Sequence, residues 1–258
     1  MTVANITVSE TPLVLYTLRR ADDALILGHR LSEWCGHAPM LEEDMALANM
    51  ALDLIGQARS LYAYAGEREG QGHGEDDFAY WRDERGYRNL LLAEQENGDF
   101  ARTIMRQFLY ASFADLYWRA MMASTDETLA AIAAKAEKEM AYHVRHTAEW
   151  VIRLGDGTAE SHARIAAALD DLWPYTGEFF QEDEAEAALV AEGIAIDLST
   201  LHSAWRTNVK TILDEAMLPM PEDGWMQSGG RTGRHSEHLG HLLSELQSMQ
   251  RTFPGATW

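Results

Sequence analysis

Apolar residues recur along this chain at three- and four-residue intervals, and alternating β-branched runs are missing, so the pattern predicts an all-α protein. A first helix is expected from about Thr11 to Trp34, ending at Gly36 and Pro39, and a second from about Leu41 to Ala65. The second is apolar around most of its circumference. Met50, Leu54, Ala58 and Leu61 line one side while Asp53 and Gln57 interrupt the rest, the signature of a buried helix. Gly70 to Gly74 reads as an exposed turn, and Asp76 to Asn97 as a long connection with local helix around Leu90 to Leu92. Asp99 opens a third helix with the stripe Ile104, Phe108, Ala111, Asp115, Trp118 and Met122. After the turn at Ser124 to Asp126, a fourth helix runs to Leu154 and stops at Gly155. Its stripe is Leu129, Ile132, Ala136, Met140, His143, Thr147, Trp150 and Leu154.

Two helical hairpins joined by a long crossover describe a ferritin-like four-helix bundle. Further helices are expected at Ser161 to Phe180, bent near Pro174, at Asp183 to Glu192, at Ser199 to Met217 and at Ser236 to Gln250. The chain therefore reads as one domain over 1–258, with a core bundle over about 11–155 and a C-terminal helical extension over about 158–258.

Composition narrows the function classes. A formal charge of −20 argues against nucleic-acid and anionic-membrane partners, which need clustered positive charge. It also disfavours this surface as a primary dock for the polyanion coenzyme A. No apolar run approaches the roughly 20 residues of a membrane span, and MTVANITVSETPL lacks the basic and apolar regions of a signal peptide, so a cytoplasmic location is expected. Cys35 is the only cysteine, which rules out an internal disulfide or a thiolate cluster built from this chain alone. It is expected to be a buried structural thiol, with His37 too weak a hint of an activating base.

The candidate chemistry lies on the bundle helices. Carboxylate-bridged di-iron proteins place one Glu on each of two helices and a Glu-x-x-His pair on each of the other two, so that oxygen and imidazole donors surround both metals. Here KEMAYH puts Met140 three residues before His143, and LDLIGQA puts Leu54 and Gln57 at the matching spacing. Glu33 could be the carboxylate of the first helix, whereas Ala111 stands near the corresponding level of the third, with Asp115 a turn away. The positions Glu33, Leu54, Gln57, Ala111, Met140 and His143 thus read as a vestigial di-iron site, with no catalytic, cofactor-binding or metal-binding residue expected in this chain. In its place Glu33, Asp53, Gln57, Glu139 and His143 are expected to satisfy one another as a buried polar network, because isolated buried polar atoms cost about 1–3 kcal/mol.

Other features have blander readings. His235, His238 and His241 are spaced by three beside Glu237, which admits a metal, but a solvated polar face or an interface is the default. The SGGRTGR loop lacks the end of a P-loop and follows no strand, although Arg231 and Arg234 could meet a partner's carboxylates. Trp150, Trp173 and Trp205 fall on apolar stripes and read as core.

The strings RLSEWCGHAP, ALANMALDLIGQAR, RNLLLAEQENGDFA, KEMAYH and HSEHLGHLLSELQSMQRTFPG resemble the C subunits of bacterial phenylacetyl-CoA epoxidases over nearly the whole chain, with the first ten or so residues unmatched. The resemblance implies a ferritin-like fold and a non-catalytic structural subunit in a multicomponent monooxygenase that epoxidises the aromatic ring during phenylacetate catabolism. It also implies partners: a catalytic A subunit holding the di-iron centre, other complex subunits, and a reductase with FAD and an iron-sulfur cluster that takes electrons from NADPH. Against the A subunit's iron-binding pattern Glu33 and His143 match, whereas Leu54, Gln57, Ala111 and Met140 depart from it. An active di-metal oxygenase with an atypical site and a free-standing helical binding protein remain the alternatives.

Overall fold

A computed structural model describes residues 5–256; the beginning of the MTVANITVSETPL segment and the last two residues lie outside the described residues. Every element described is a helix. The bundle consists of α1 (Pro12–Ser32), α2 (Leu41–Glu69), α5 (Phe100–Met121) and α6 (Glu127–Gly155). Between α2 and α5 the crossover carries the short helices α3 (Glu75–Tyr80) and α4 (Leu91–Glu94). The extension consists of α7 (Ala159–Leu172), a 3₁₀ segment (Trp173–Phe180), α8 (Glu184–Ala191), α9 (Ser199–Glu215), α10 (Glu237–Leu246) and α11 (Ser248–Thr252).

Local chemistry sets the boundaries. The Thr11 hydroxyl accepts from Val14 N at 3.3 Å just ahead of Pro12, the Asp99 carboxylate accepts from Arg102 N at 2.9 Å, and Asp126 accepts from both Thr128 N and Leu129 N. Each satisfies a backbone donor that a helix start leaves without an internal partner. Gly70 ends α2 in the left-handed conformation, four residues beyond the expected Ala65. Pro174 turns the expected Ser161 to Phe180 helix into α7 followed by the 3₁₀ segment, since proline has no N–H to continue the α ladder. The last expected helix is likewise two, α10 and α11.

Each hairpin pairs antiparallel helices, α1 with α2 and α5 with α6, and α2 packs along α6. Tyr16 and Tyr117 fill the space between α1 and α5, their hydroxyls 2.6 Å apart, with the Arg20 guanidinium 4.6 Å over the Tyr117 ring. The extension covers what the bundle leaves bare. α7 and α9 lie on α5, and α4 and α8 lie on α1, so α1 and α5 are buried almost all round. Gly155 lets the end of α6 touch the end of α9, where a Cβ would fall 2.2 Å from Ala216 O.

The apolar stripes need three corrections. Met122 is 48% exposed because α5 ends at Met121 and leaves it in the turn. Asp115 is half-buried and pairs with Arg119 at 3.1 Å, at the edge of the core; Ile132, Trp150 and Leu154 are half-buried against it. The largest departure is α2, expected to be a buried helix. Its core face is enclosed, with Leu54 0% exposed, but its outer face carries Leu41 at 72%, Met45 at 59% and Leu52 at 65%.

Candidate functional site

The bundle interior is polar at one level. His143 of α6 is fully buried, its Nδ1 3.0 Å from Gln107 Nε2 and its Nε2 3.2 Å from Asp53 Oδ2. An amide NH₂ only donates, so Nδ1 accepts from Gln107 and the ring proton sits on Nε2, donating to Asp53. Burial lowers the imidazole pKa, with Asp53 pulling the other way, which favours this neutral tautomer. One turn along, Gln57 Nε2 donates to Glu139 Oε2 at 2.8 Å, and Lys135 approaches the same carboxylate at 3.4 Å. Gln57 Oε1 and Gln107 Oε1 are buried with no partner.

Hydrocarbon fills the rest of this level. Leu54, Ala111 and Met140 are each 0% exposed and belong to α2, α5 and α6. Among the described residues no group of three His, Cys, Asp or Glu side chains comes together as a metal cage. The donor set is one imidazole, the carboxylates of Asp53 and Glu139, and two neutral amides. A carboxylate-bridged iron pair needs hard anionic oxygens at the places held by Leu54, Ala111 and Met140, so the residues present do not fit it.

The structure therefore brings Asp53, Gln57, Glu139 and His143 to one level and leaves Glu33 elsewhere, a correction to the expected network. α1 stops at Ser32, so Glu33 occupies the cap position, 40% exposed, and accepts from Arg30 and Asn97 at 2.8 Å each. The fifth member is Gln107, one turn before Ala111 on the same face. A polar residue inside the apolar run TIMRQFLYA was the available signal.

A second polar region was missed altogether. Besides Arg30, four charged residues of α1 are buried: Arg19 and Arg20 pair with Glu186 at 2.9 and 3.4 Å, Asp22 pairs with Arg82, and Asp23 pairs with Arg231 at 2.8 Å. Asp22 also accepts from the Tyr62 hydroxyl at 2.5 Å and from Arg88 N at 2.7 Å. These contacts bind the crossover and the extension to α1. Arg231 is thus an internal ion-pair partner, a correction to its expected role toward another chain. Arg234 is exposed.

The loop before α10 lies against the crossover, where a Cβ on Gly230 would fall 2.1 Å from Asn89 O. His235 is also corrected: its side chain is 2% exposed, with Nδ1 2.8 Å from Glu94 and Nε2 3.0 Å from Tyr87 O. That bond to Glu94 raises its pKa against the opposing pull of burial. His238 stands 3.5 Å from Glu96, and His241 is exposed, so the three histidines do not converge. Cys35 is exposed in the turn after α1, where the chain has left the core, not buried as expected. Trp173 and Trp205 stack at 5.5 Å in the core, and Trp150 meets Phe100 edge-on at 5.0 Å.

Comparison with known proteins adds two findings. The profile of the family described as phenylacetic acid catabolic protein matches residues 2–258, including the N-terminal residues outside the resemblance of the five strings. The chain is 48% identical over 246 residues to the C subunit of the 1,2-phenylacetyl-CoA epoxidase of Escherichia coli (strain K12), covering 95% of this chain and 99% of that protein.

Proposed function

The chain belongs to the phenylacetic acid catabolic protein family, and we propose that its place there is that of a non-catalytic structural subunit of a phenylacetyl-CoA epoxidase. One observation carries this reading. Where a di-iron bundle would present carboxylates, this chain presents the buried hydrocarbon of Leu54, Ala111 and Met140 and the neutral amides of Gln57 and Gln107. With no anionic bridge to hold metals, the interior serves to fix helix register. His143 ties α6 to α5 through Gln107 and to α2 through Asp53, while Gln57 adds a second tie from α2 to Glu139. The subunit works by holding a catalytic A subunit, the site of the di-iron centre, in a soluble and competent form in the cytoplasm. The other subunits of the complex and an NADPH-dependent reductase with FAD and an iron-sulfur cluster complete the system.

Two measurements test this reading. After aerobic iron loading and desalting, elemental analysis of the purified chain should find far less than one iron per chain. Two irons, with the absorption of an oxo-bridged pair, would establish an atypical di-metal enzyme instead. Epoxidation of phenylacetyl-CoA should be absent with this chain alone and should drop when it is omitted from the catalytic subunit and reductase. An unchanged rate on omission would favour a free-standing binding protein.

A further inference from the structure

α2 has two apolar faces where a bundle helix needs one. Leu41, Met45, Ala48, Leu52 and Ile55 follow one another at intervals of four, three, four and three residues, the spacing of a helix-packing seam. At about 100° per residue they stay within a sector of about 80°, with the core position Met50 about half a turn away and Leu54 about 140° away. Leu41, Met45 and Leu52 are each more than half exposed, and Ala48 and Ile55 are half-buried. The seam is about 21 Å long. At its far end Ile55 closes against α1, its Cγ1 3.1 Å from where a Cβ on Gly28 would stand, while Leu41, Met45 and Leu52 stay open.

Beside the seam, α2 and α6 enclose a groove lined by Gly56, Ser60, Ala131, Ile132 and Ala136. A Cβ on Gly56 would meet nothing nearer than Lys135 Nζ at 3.9 Å, so the groove is open to a side chain from outside. Along its α6 edge stand Lys135, Lys138, Tyr142 and Arg145, all exposed. The chain has only three lysines, and two of them are here. Lys135 is committed to Glu139. Among the described residues Lys138 and Arg145 have no carboxylate partner, and Arg145 lies 5.6 Å over the Tyr142 ring. Asp53, paired with His143 of α6, keeps its side chain 35% exposed.

We propose that the outer faces of α2 and α6 form a docking surface for an amphipathic helix of another subunit, one with an apolar stripe and carboxylates along the edge that faces α6. The seam spacing suits a helix packed along α2, and the unpaired cations of Lys138 and Arg145 suit acidic residues beside it. A second copy of this chain fits poorly, since it would set the same α6 cations against each other and join two bodies of formal charge −20. The inference rests on the reading of this chain as a subunit of a multicomponent complex. It adds where the partner sits and which chemistry recognises it.

The test uses the full complex, co-expressed with a tag on this chain, with retained subunits identified by mass. Met45→Glu/Leu52→Glu and Lys138→Glu/Arg145→Glu change exposed residues, so the melting temperature of the isolated chain should stay at the wild-type value. Both pairs should weaken retention of a partner subunit at least tenfold, whereas Asn208→Glu on the exposed side of α9 should leave it unchanged. Wild-type retention in both double variants would overturn the docking surface while leaving the subunit reading intact. Failure of the wild-type chain to retain any subunit would overturn both. A wild-type homodimer dissociated by Met45→Glu/Leu52→Glu would replace the proposed occupant with a second copy.

Discussion

Arg231→Ala removes the contact that fastens the extension to the first helix. The guanidinium donates from Nη2 to Asp23 Oδ2 at 2.8 Å, and from Nη1 to Asp23 Oδ1 at 2.9 Å, Arg88 O at 2.9 Å and Arg19 O at 3.1 Å. Without it Asp23, its side chain 1% exposed, keeps only Leu90 N at 2.7 Å and Arg20 at 3.7 Å. Breaking a buried pair from one side costs about 3–5 kcal/mol because the other charge is stranded. The Arg231 side chain is 10% exposed, so water can enter the space it leaves, which points to the lower end, about 3 kcal/mol. At about 2–4 °C per kcal/mol for a chain approaching this size, the melting temperature should fall by roughly 6–12 °C.

Urea titration and thermal circular dichroism at neutral pH measure both quantities. Burial already lifts the Asp23 carboxyl above its ordinary range despite the pull of Arg231 and Arg20, and loss of Arg231 lifts it further. The deficit of the variant should therefore shrink as the pH falls and Asp23 is protonated. Arg231→Met/Asp23→Leu should recover most of the loss, because it removes the pair as a unit. A cost for Arg231→Ala below about 0.5 kcal/mol, the ordinary surface value, would refute the reasoning.

Leu54→Asp should destabilise the chain by more than about 4 kcal/mol through an unpaired buried charge, whereas Glu237→Ala on the exposed start of α10 should stay within about 0.5 kcal/mol; equal urea midpoints would contradict the contrast. Burial lowers the His29 pKa from 6.5 to about 4, so its contribution to stability is complete above pH 6.5 and is lost as the pH falls through about 4. His29→Gln should accordingly flatten the fall in melting temperature over that window, and an unchanged slope would sink the assignment. Cys35 should react with a thiol reagent in the native isolated chain at the rate of a free thiol; reaction only after unfolding would place it inside.

The bundle was legible because its hairpins obey simple rules: Asp99 and Asp126 open helices, Gly155 closes one, and Leu54, Phe108 and Met140 point inward. What escaped the sequence was charge inside the core. Arg19, Arg20, Asp22 and Asp23 look like the solvated side of α1, and nothing local says that their partners Glu186, Arg82 and Arg231 are brought to them by distant segments. Glu33 failed for a local reason, since it falls one residue past the end of α1 and is held by Asn97. The apolar circumference of α2 follows from the spacing of its residues, which does not distinguish a face covered within the chain from one left bare.

The ion pair between Asp23 and Arg231 also has a bearing on biosynthesis, because its members are 208 residues apart. Translation delivers α1 well before Arg231, which stays unmade until the chain has grown through the loop before α10. Nascent α1 and α2 can pair as a hairpin, but the acid at position 23 has only Arg20 and Leu90 N to meet until the loop before α10 has left the ribosome. Completion of the fold therefore waits on the loop before α10, and a chain released before that loop is made should be captured by chaperones or degraded even though all four bundle helices are present. In an assembled complex that timing has a use: a truncated subunit would be eliminated before it could occupy a partner's surface.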